Sequence, residues 1–541
     1  MSQQKQILIV GAGPIGLVLA YQLSRLGVRC TLFEKSHTPT AYPKMDYTNS
    51  RSMELLHILG LADAYRAQPG AVPEMVGFES MFVTGFRPED RVLGLWSVES
   101  VADQKAESRR VNDGTFSVEP GQRCSQVVFE TWMRDVVGRL DEVDFRVGWE
   151  YIGHEEDKEA GNVKAFFQDE HGQKQEVAGA YLVGCNGGRS RVRKAAGIHM
   201  IGGSLGFIIN QDNQDTFTAH YLLPDDDLGA SETIDPHDVI YKTLGGFAGP
   251  HQITIDSILV HSRWQPSFGI ADSYISRGGR VLLADAFDLG WRLAAMSGAS
   301  TQYDSGAVAL SQTFHGELCA ENIEMLKSET QEGRAVRAKI ERFITLSGPD
   351  TKDFGLELDL RYDFSPCVVP DGTVALPWDV NVYGPSTRRG SRAPHVFLKD
   401  GGVSVYDLFG KEWTLMQFVN GNREDAVKVD ALLELAEELH FPLKHVVLRE
   451  DEHVRRLWQR NLVLVRPDAH VAWRGNEAPD RVEAEQILLV VSGRMAVPGY
   501  QEQLDNEDEK QFIKTVAAFG IESSDRAREL KLQLCIFCTK V

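Results

Sequence analysis

The sequence predicts an α/β protein that opens on a nucleotide-binding strand–turn–helix–strand unit. Three observations predict it: an apolar, β-branched run at residues 6–10, the turn Gly11-Ala12-Gly13-Pro14-Ile15-Gly16, and an acid, Glu34, at the end of a second apolar strand 23 residues after Gly11.

Each part of that unit has a physical task. Gly11 permits the tight turn, Gly13 lets a pyrophosphate approach the backbone, and Gly16 lets helix and strand pack closely, with the helix N-terminus facing the anion. Ile15, Val18, Leu19, Leu23 and Leu26 repeat at helical spacing, Gly27 ends the helix, and Val28 to Phe33 reads as the second strand. Glu34 stands where a carboxylate accepts hydrogen bonds from adenosine ribose hydroxyls, with Lys35 beside it as a further cofactor contact. The competing reading is a glycine turn in an unrelated α/β protein, and the motif alone does not separate FAD from NAD.

Composition bounds the rest. A chain of 541 residues favours two or three packed units over one core, and 43% hydrophobic with 25% charged residues is ordinary for a globular protein. With 57 basic against 77 acidic residues the net charge is −20, which repels a phosphate backbone and excludes nucleic acid as the expected partner. Seven scattered cysteines imply reduced thiols and no disulfide framework. Glycines and a proline interrupt the apolar start, so it reads as structure rather than a signal sequence. No stretch reaches the roughly 18–20 apolar residues of a membrane span. The expectation is a soluble, cytoplasmic protein.

Further along, GQRCSQVVFETWM, YLVGCNGGRSRVRKAAGI, RVLLADAFDLGWRLAAM and RAPHVFLKDG follow in an order that resembles the FAD-dependent aromatic monooxygenases of the para-hydroxybenzoate hydroxylase and phenol hydroxylase family, over about residues 1–475. The resemblance implies a Rossmann-like FAD-binding domain, an interleaved mixed β-sheet substrate domain and a C-terminal thioredoxin-like domain. It implies that Arg123 and Gln126 contact the flavin, with Glu130 one turn further on; helix capping and surface charge are the alternative for these side chains. Asn186 takes the place of the family's Asp-Gly carboxylate, keeping a hydrogen-bonding role without the charge.

A larger departure follows Arg280 to Ala284. The family's Gly-Asp-Ala-Ala-His and its glycine-rich loop are missing, and Asp285 to Leu293 joins the strand directly. Asp285 is either the far side of that loop or the motif's own aspartate, a remaining cofactor contact. A second shortening is expected after Gly203.

On the substrate side Asp46 precedes Arg51-Ser52-Met53-Glu54, where the family places an acid near the substrate hydroxyl. It reads either as a base assisting phenol deprotonation or as a cap for the helix around Ser50. Residues 216–223 alternate like a strand of the substrate sheet, and Asp225 to Asp227 read as a solvated connection. The expected division is FAD-binding segments at 1–80, 105–200 and 275–366, substrate-domain segments at 81–104 and 201–274, a thioredoxin-like domain at 390–500 and a charged tail at 501–541. The proline- and glycine-rich stretch at 377–394 marks the boundary before the thioredoxin-like domain. That domain lacks a Cys-x-x-Cys at its first helix and is expected to pack or dimerise. Cys535 and Cys538 do not complete a metal site, so no metal is expected.

The function implied is hydroxylation of a phenolic or polyketide-like small molecule with FAD, transient NAD(P)H and O2. The alternatives are a Baeyer–Villiger oxygenase on the same scaffold and, because of the missing loop, a flavin-deficient non-catalytic protein.

Overall fold

The computed structural model describes residues 6–40, 45–83, most of 87–187, 190–198, short pieces between 200 and 283, 328–347, most of 354–419 and 427–495. The opening unit forms as the spacing predicts: β1 (Ile7–Val10), α1 (Pro14–Arg25) and β2 (Cys30–Glu34). β2 starts two residues later than the apolar run implies. The Val28 N–H closes the end of α1 on Leu23 O (2.9 Å), with Gly27 at φ +70°, so Val28 is spent on the helix terminus.

The central sheet has five parallel strands in the order β16-β11-β1-β2-β7, adding β7 (Val143–Val147), β11 (Tyr181–Gly184) and β16 (Val281–Leu283). Side chains alternate along β1. Ile7 and Ile9 pack with Leu17, Leu19 and Leu23 of α1 and with Phe129 and Met133 of α5 (Gln126–Val137). Leu8 and Val10 pack on the other face with Tyr151, Val163 and Phe167. Those residues belong to an antiparallel sheet of β8 (Glu150–Asp157), β9 (Asn162–Gln168) and β10 (Lys174–Gly179), which covers that face. Both faces are covered, so β1 is fully apolar, as parallel strands are.

Two short strands, β3 (Tyr47–Thr48) and β6 (Gln122–Arg123), pair antiparallel ahead of α2 (Ser50–Ile58) and α5. α3 (Ala62–Arg66) follows α2. β4 (Phe78–Val83) and β5 (Val92–Val98) form a hairpin whose Phe82 and Trp96 meet Ile340 and Ile344 of the helix Gln331–Ser347. α4 (Val101–Val111) follows, capped by Ser100. Beyond α6 (Arg191–Ala195), only the pairs β12 (Met200–Ile201) with β15 (Ile270–Ala271) and β13 (Ile208–Asn210) with β14 (Phe217–Ala219), and α7 (Pro236–Gly245), are described up to residue 245 and at 270–271. The alternating run at 216–223 is thus a strand over Phe217–Ala219; Asp225 to Asp227, Gly203 and the tail lie outside the described residues.

The carboxyl-terminal sheet has the order β18-β17-β19-β20: β17 (Trp413–Val419) runs parallel to β18 (Leu443–Arg449) and antiparallel to β19 (Leu462–Val465), which pairs antiparallel with β20 (Val471–Gly475). All seven residues of β17 are buried, because helices cover both faces: Asp430–Glu438 and Arg481–Val491 on one, Glu452–Trp458 on the other. The stretch expected as a boundary packs in its later half as an arm on β20. Gly390 N–H donates to Val471 O (2.7 Å), Ala393 N–H to Ala469 O (2.8 Å), and Thr387, Arg392 and Ala393 are buried.

Candidate cofactor site

The glycine turn is packed hard against the end of β11. Gly11 has φ +107°, and a Cβ there would stand 2.7 Å from Cys185 O; on Gly16 it would stand 1.9 Å from Gly11 O. Gly13 is the N-cap of α1. No side chain caps this terminus, no acid lies in the first turn, and Pro14 opens the helix. An uncapped, positively polarised helix start is a ready site for a diphosphate.

Glu34 braces this turn from β2. Its Oε2 accepts Ala12 N–H (2.8 Å) and its Oε1 accepts Ser36 N–H (2.9 Å). Each carboxylate oxygen has a second lone pair, which leaves acceptor capacity for ribose hydroxyls. Lys35 is exposed beside it. Backbone donors, glycines without room for a methyl and an acid on the neighbouring strand together fit the ADP half of FAD.

A second cluster forms where β3 meets β6. Tyr47 pairs with Arg123, and Cys124 N–H donates to Asp46 O (2.9 Å), so Asp46 and Arg123 become neighbours with an Nη2–Oδ2 separation of 3.6 Å. Arg123 also lies over the Phe78 ring at 5.1 Å. Gln126 is buried at the start of α5 and donates from Nε2 to Glu130 Oε1 (2.7 Å). The helix-capping alternative for Asp46 is occupied by another residue: Asn49 Oδ1 accepts Ser52 N–H (2.9 Å) at the start of α2.

Asn186 follows β11, and its side chain accepts the Ser190 hydroxyl, which in turn caps α6 by accepting Arg193 N–H (3.0 Å). In this structure it orders a helix start. Asp285, Cys535 and Cys538 lie outside the described residues. Among the described residues no group of three or more His, Cys, Asp or Glu side chains could hold a metal ion, and no helix is long and apolar enough to cross a membrane. Burial pushes the Cys30 and Cys124 thiols up to about 12 and about 11, which suits packing rather than reactivity.

The sequence reading missed an ionic seam joining α2 to the carboxyl-terminal half. Glu54 accepts from Arg392 Nε (2.8 Å) and Nη2, from Arg51, and from Ser117 Oγ (3.1 Å); Glu54 and Arg392 side chains are fully buried. Burial raises the Glu54 pKa, but Arg392 outweighs it and holds the carboxyl at about 2. Arg51 also donates to Asp468 O (2.7 Å). One turn on, His57 bridges Glu119 (3.2 Å) and Asp407 (2.8 Å). The Arg-x-x-Glu spacing was visible, but its partner lies 338 residues away in sequence.

His57 gives a pH prediction. Burial lowers its pKa, yet the hydrogen bonds to Asp407 and Glu119 prevail and raise it to about 9. A raised folded-state pKa means the stabilisation is complete below about pH 6.5 and is lost as pH rises through about 9, a contribution of up to about 3 kcal/mol. Thermal melts between pH 6 and 10 should show the wild-type Tm falling and His57→Gln following a flatter curve. Parallel curves for the two proteins would remove the bridge as the cause.

Fold and site together define an α/β dinucleotide-binding protein with a separate carboxyl-terminal sheet. Two family models match in register with this division: FAD binding domain over residues 4–221, and aromatic-ring hydroxylase, C-terminal, over residues 386–494. The chain is 31% identical to the FAD-dependent monooxygenase apdD of Emericella nidulans, over 90% of each chain. It is 30% identical to opdD of Penicillium oxalicum, over 83% of this chain and all of that one. A crystal structure of aklavinone-11 hydroxylase with FAD and aklavinone superposes with a TM-score of 0.66 at 25% identity, covering 91% of this chain and 99% of that one. The chain belongs to the FAD-dependent aromatic monooxygenases of the para-hydroxybenzoate hydroxylase and phenol hydroxylase family, and FAD is its cofactor.

The alignment with apdD also contains gaps in this chain. Its 570 aligned positions take in 90% of 541 residues, about 487, so about 83 of those positions meet no residue of this chain. Residues 222–385 fall between the two matched family regions.

Proposed function

We propose that this enzyme hydroxylates a phenolic or polyketide-like aromatic metabolite, with NAD(P)H as transient reductant and O2 as co-substrate. The observation that carries this reading is the Asp46–Arg123 pair, set beside the start of α5, whose next turn reaches the nucleotide turn. Relatives named for such chemistry support the substrate class: the tetracenomycin B2 monooxygenase-dioxygenase of Streptomyces olivaceus and the aklavinone 12-hydroxylase of Streptomyces purpurascens. When bound, FAD supplies the oxygen-transfer chemistry, and the protein's part is to hold substrate, exclude water and move the phenol proton. Gly11, Gly13, Gly16, Glu34 and Lys35 would hold the ADP half; Arg123, Gln126, Asn186 and Asp285 are proposed contacts further along the cofactor.

Asp46 is the proposed base. When Asp46 takes the phenol proton and becomes neutral, the neighbouring Arg123 guanidinium offsets the charge left on the phenolate. Loss of a positioned base costs about 10²–10⁴ in rate, so Asp46→Ala should lose at least about a hundredfold in kcat on a phenol panel near neutral pH, with partial recovery at high pH. NAD(P)H consumption coupled to product formation measures it; an unchanged pH profile removes the role. Product analysis separates hydroxylation from Baeyer–Villiger insertion.

The division of the chain into interleaved FAD-binding and substrate segments, with the boundaries given above, is part of this proposal. So is a thioredoxin-like carboxyl-terminal domain, supported by the parallel pair β17–β18, the antiparallel β19–β20 and helices on both faces. We place the protein in the cytoplasm, on its few, scattered cysteines, with a homodimer as the assembly. The shortfall of about 83 positions favours a second reading, weakened flavin retention. Purified protein that stays colourless after incubation with FAD selects it, and a bound flavin spectrum rejects it.

A further inference from the structure

One edge of α5 grips the chain that follows the ribose acid. Gln126, Glu130 and Arg134 are spaced by four and share a helix face. Gln126 N–H donates to Met45 O (2.8 Å), Glu130 Oε2 accepts Thr40 N–H (2.9 Å), and Arg134 Nη1 donates to Ser36 O (3.1 Å) and His37 O (3.4 Å). Residues 36–40 on one side and Met45 on the other are therefore tied at three levels of one helix.

Glu130 is the middle tie and the unusual one. It is 3% exposed, and among the described residues no Lys, Arg or His pairs with it. Its other hydrogen bond is from Gln126 Nε2, and its Oε1 lies 3.7 Å from where a Cβ on Gly13 would stand. Burying a carboxylate without a cation is unfavourable, so packing alone gives no reason for an acid here. What the acid does is fix a backbone N–H and an amide side chain beside the nucleotide turn.

We propose that Glu130 is a positioning residue for the ADP half of FAD, acting through Thr40 and Gln126 to set the wall formed by residues 36–40 and by Met45 and Asp46. The proposal rests on FAD lying against the Gly11–Gly16 turn. Glu130 need not touch the cofactor. Its task is to keep both pieces in register with α5.

The test is equilibrium titration of apoprotein with FAD and, separately, with ADP, alongside apoprotein melting temperature. Losing a hydrogen bond to a charged group should raise both dissociation constants about tenfold in Glu130→Ala. Glu130→Gln keeps an acceptor for Thr40 N–H and should restore both to within about threefold of wild type. It also serves if the alanine variant does not fold. Wild-type affinity for both ligands in Glu130→Ala overturns the role, as does a loss confined to FAD, or a glutamine variant binding no better than alanine. Wild-type protein that retains neither ligand overturns the nucleotide placement itself, which separates that failure from this one.

Discussion

Glu54→Ala is expected to destabilise the protein by about 3–5 kcal/mol, the cost of leaving a buried charge unpaired. The variant strands Arg392, whose side chain is fully buried and whose Nη1 has no hydrogen-bond partner even in the wild type, and it removes a partner of Arg51. Urea unfolding measures it through the midpoint at constant slope. Replacing the pair together, as Glu54→Leu with Arg392→Leu, should lose much less than the two single changes combined, since neither charge is then orphaned. A single variant within about 1 kcal/mol of wild type would show that water reaches this site. The seam also has a pH signature. A carboxyl held at about 2 contributes its full stability above its ordinary value of 4.5 and loses it progressively as pH falls from there through about 2, while the folded-state ion pair itself stays charged in mild acid. α2 starts four residues beyond Asp46, so loosening Glu54 should lower turnover as well as stability.

Why some of this was legible in the sequence and some was not follows from distance along the chain. The first 35 residues could be read because every determinant is local: Gly11, Gly16 and Glu34 meet within one βαβ unit, and the unbroken apolar run of β1 reports its two covered faces. Asp46 and Arg123 were each visible as candidates, but only the β3–β6 pairing shows that they face each other. The capping alternative for Asp46 falls to Asn49, three residues on, which has the same capping chemistry and lies nearer the helix. The partner of Glu54 was beyond reach, since no periodicity connects an acid on α2 to an arginine in an irregular arm 338 residues on. That arm looked like a linker because proline and glycine break regular structure, yet its backbone is satisfied by β20 rather than by water. Asn186 illustrates the opposite limit. Motif position offers a cofactor contact, while the side chain's own partner is the Ser190 hydroxyl.

Alanine at the three motif glycines should separate binding from folding. At Gly13 a methyl makes an ordinary 3.7 Å contact with Glu130 Oε1, and the backbone, at φ −75° and ψ −178°, suits any residue. Gly13→Ala should therefore fold with the wild-type melting temperature. Its methyl would point at the uncapped end of α1, where the diphosphate approaches, so FAD affinity should fall by on the order of a hundredfold as charge-assisted backbone hydrogen bonds are lost. At Gly16 the methyl would lie 1.9 Å from the Gly11 carbonyl oxygen, a backbone atom that cannot swing aside. There the turn must open or α1 must lift from β1, at about 1–3 kcal/mol or more, so Gly16→Ala should lose stability and FAD together. Gly11→Ala combines a 2.7 Å clash with Cys185 O and a positive φ, and should behave like Gly16→Ala. Flavin fluorescence titration with melting curves on the apoprotein reads both quantities. If Gly13→Ala retains FAD at wild-type affinity while Gly16→Ala unfolds, the turn serves packing alone, and the diphosphate must lie elsewhere on the chain.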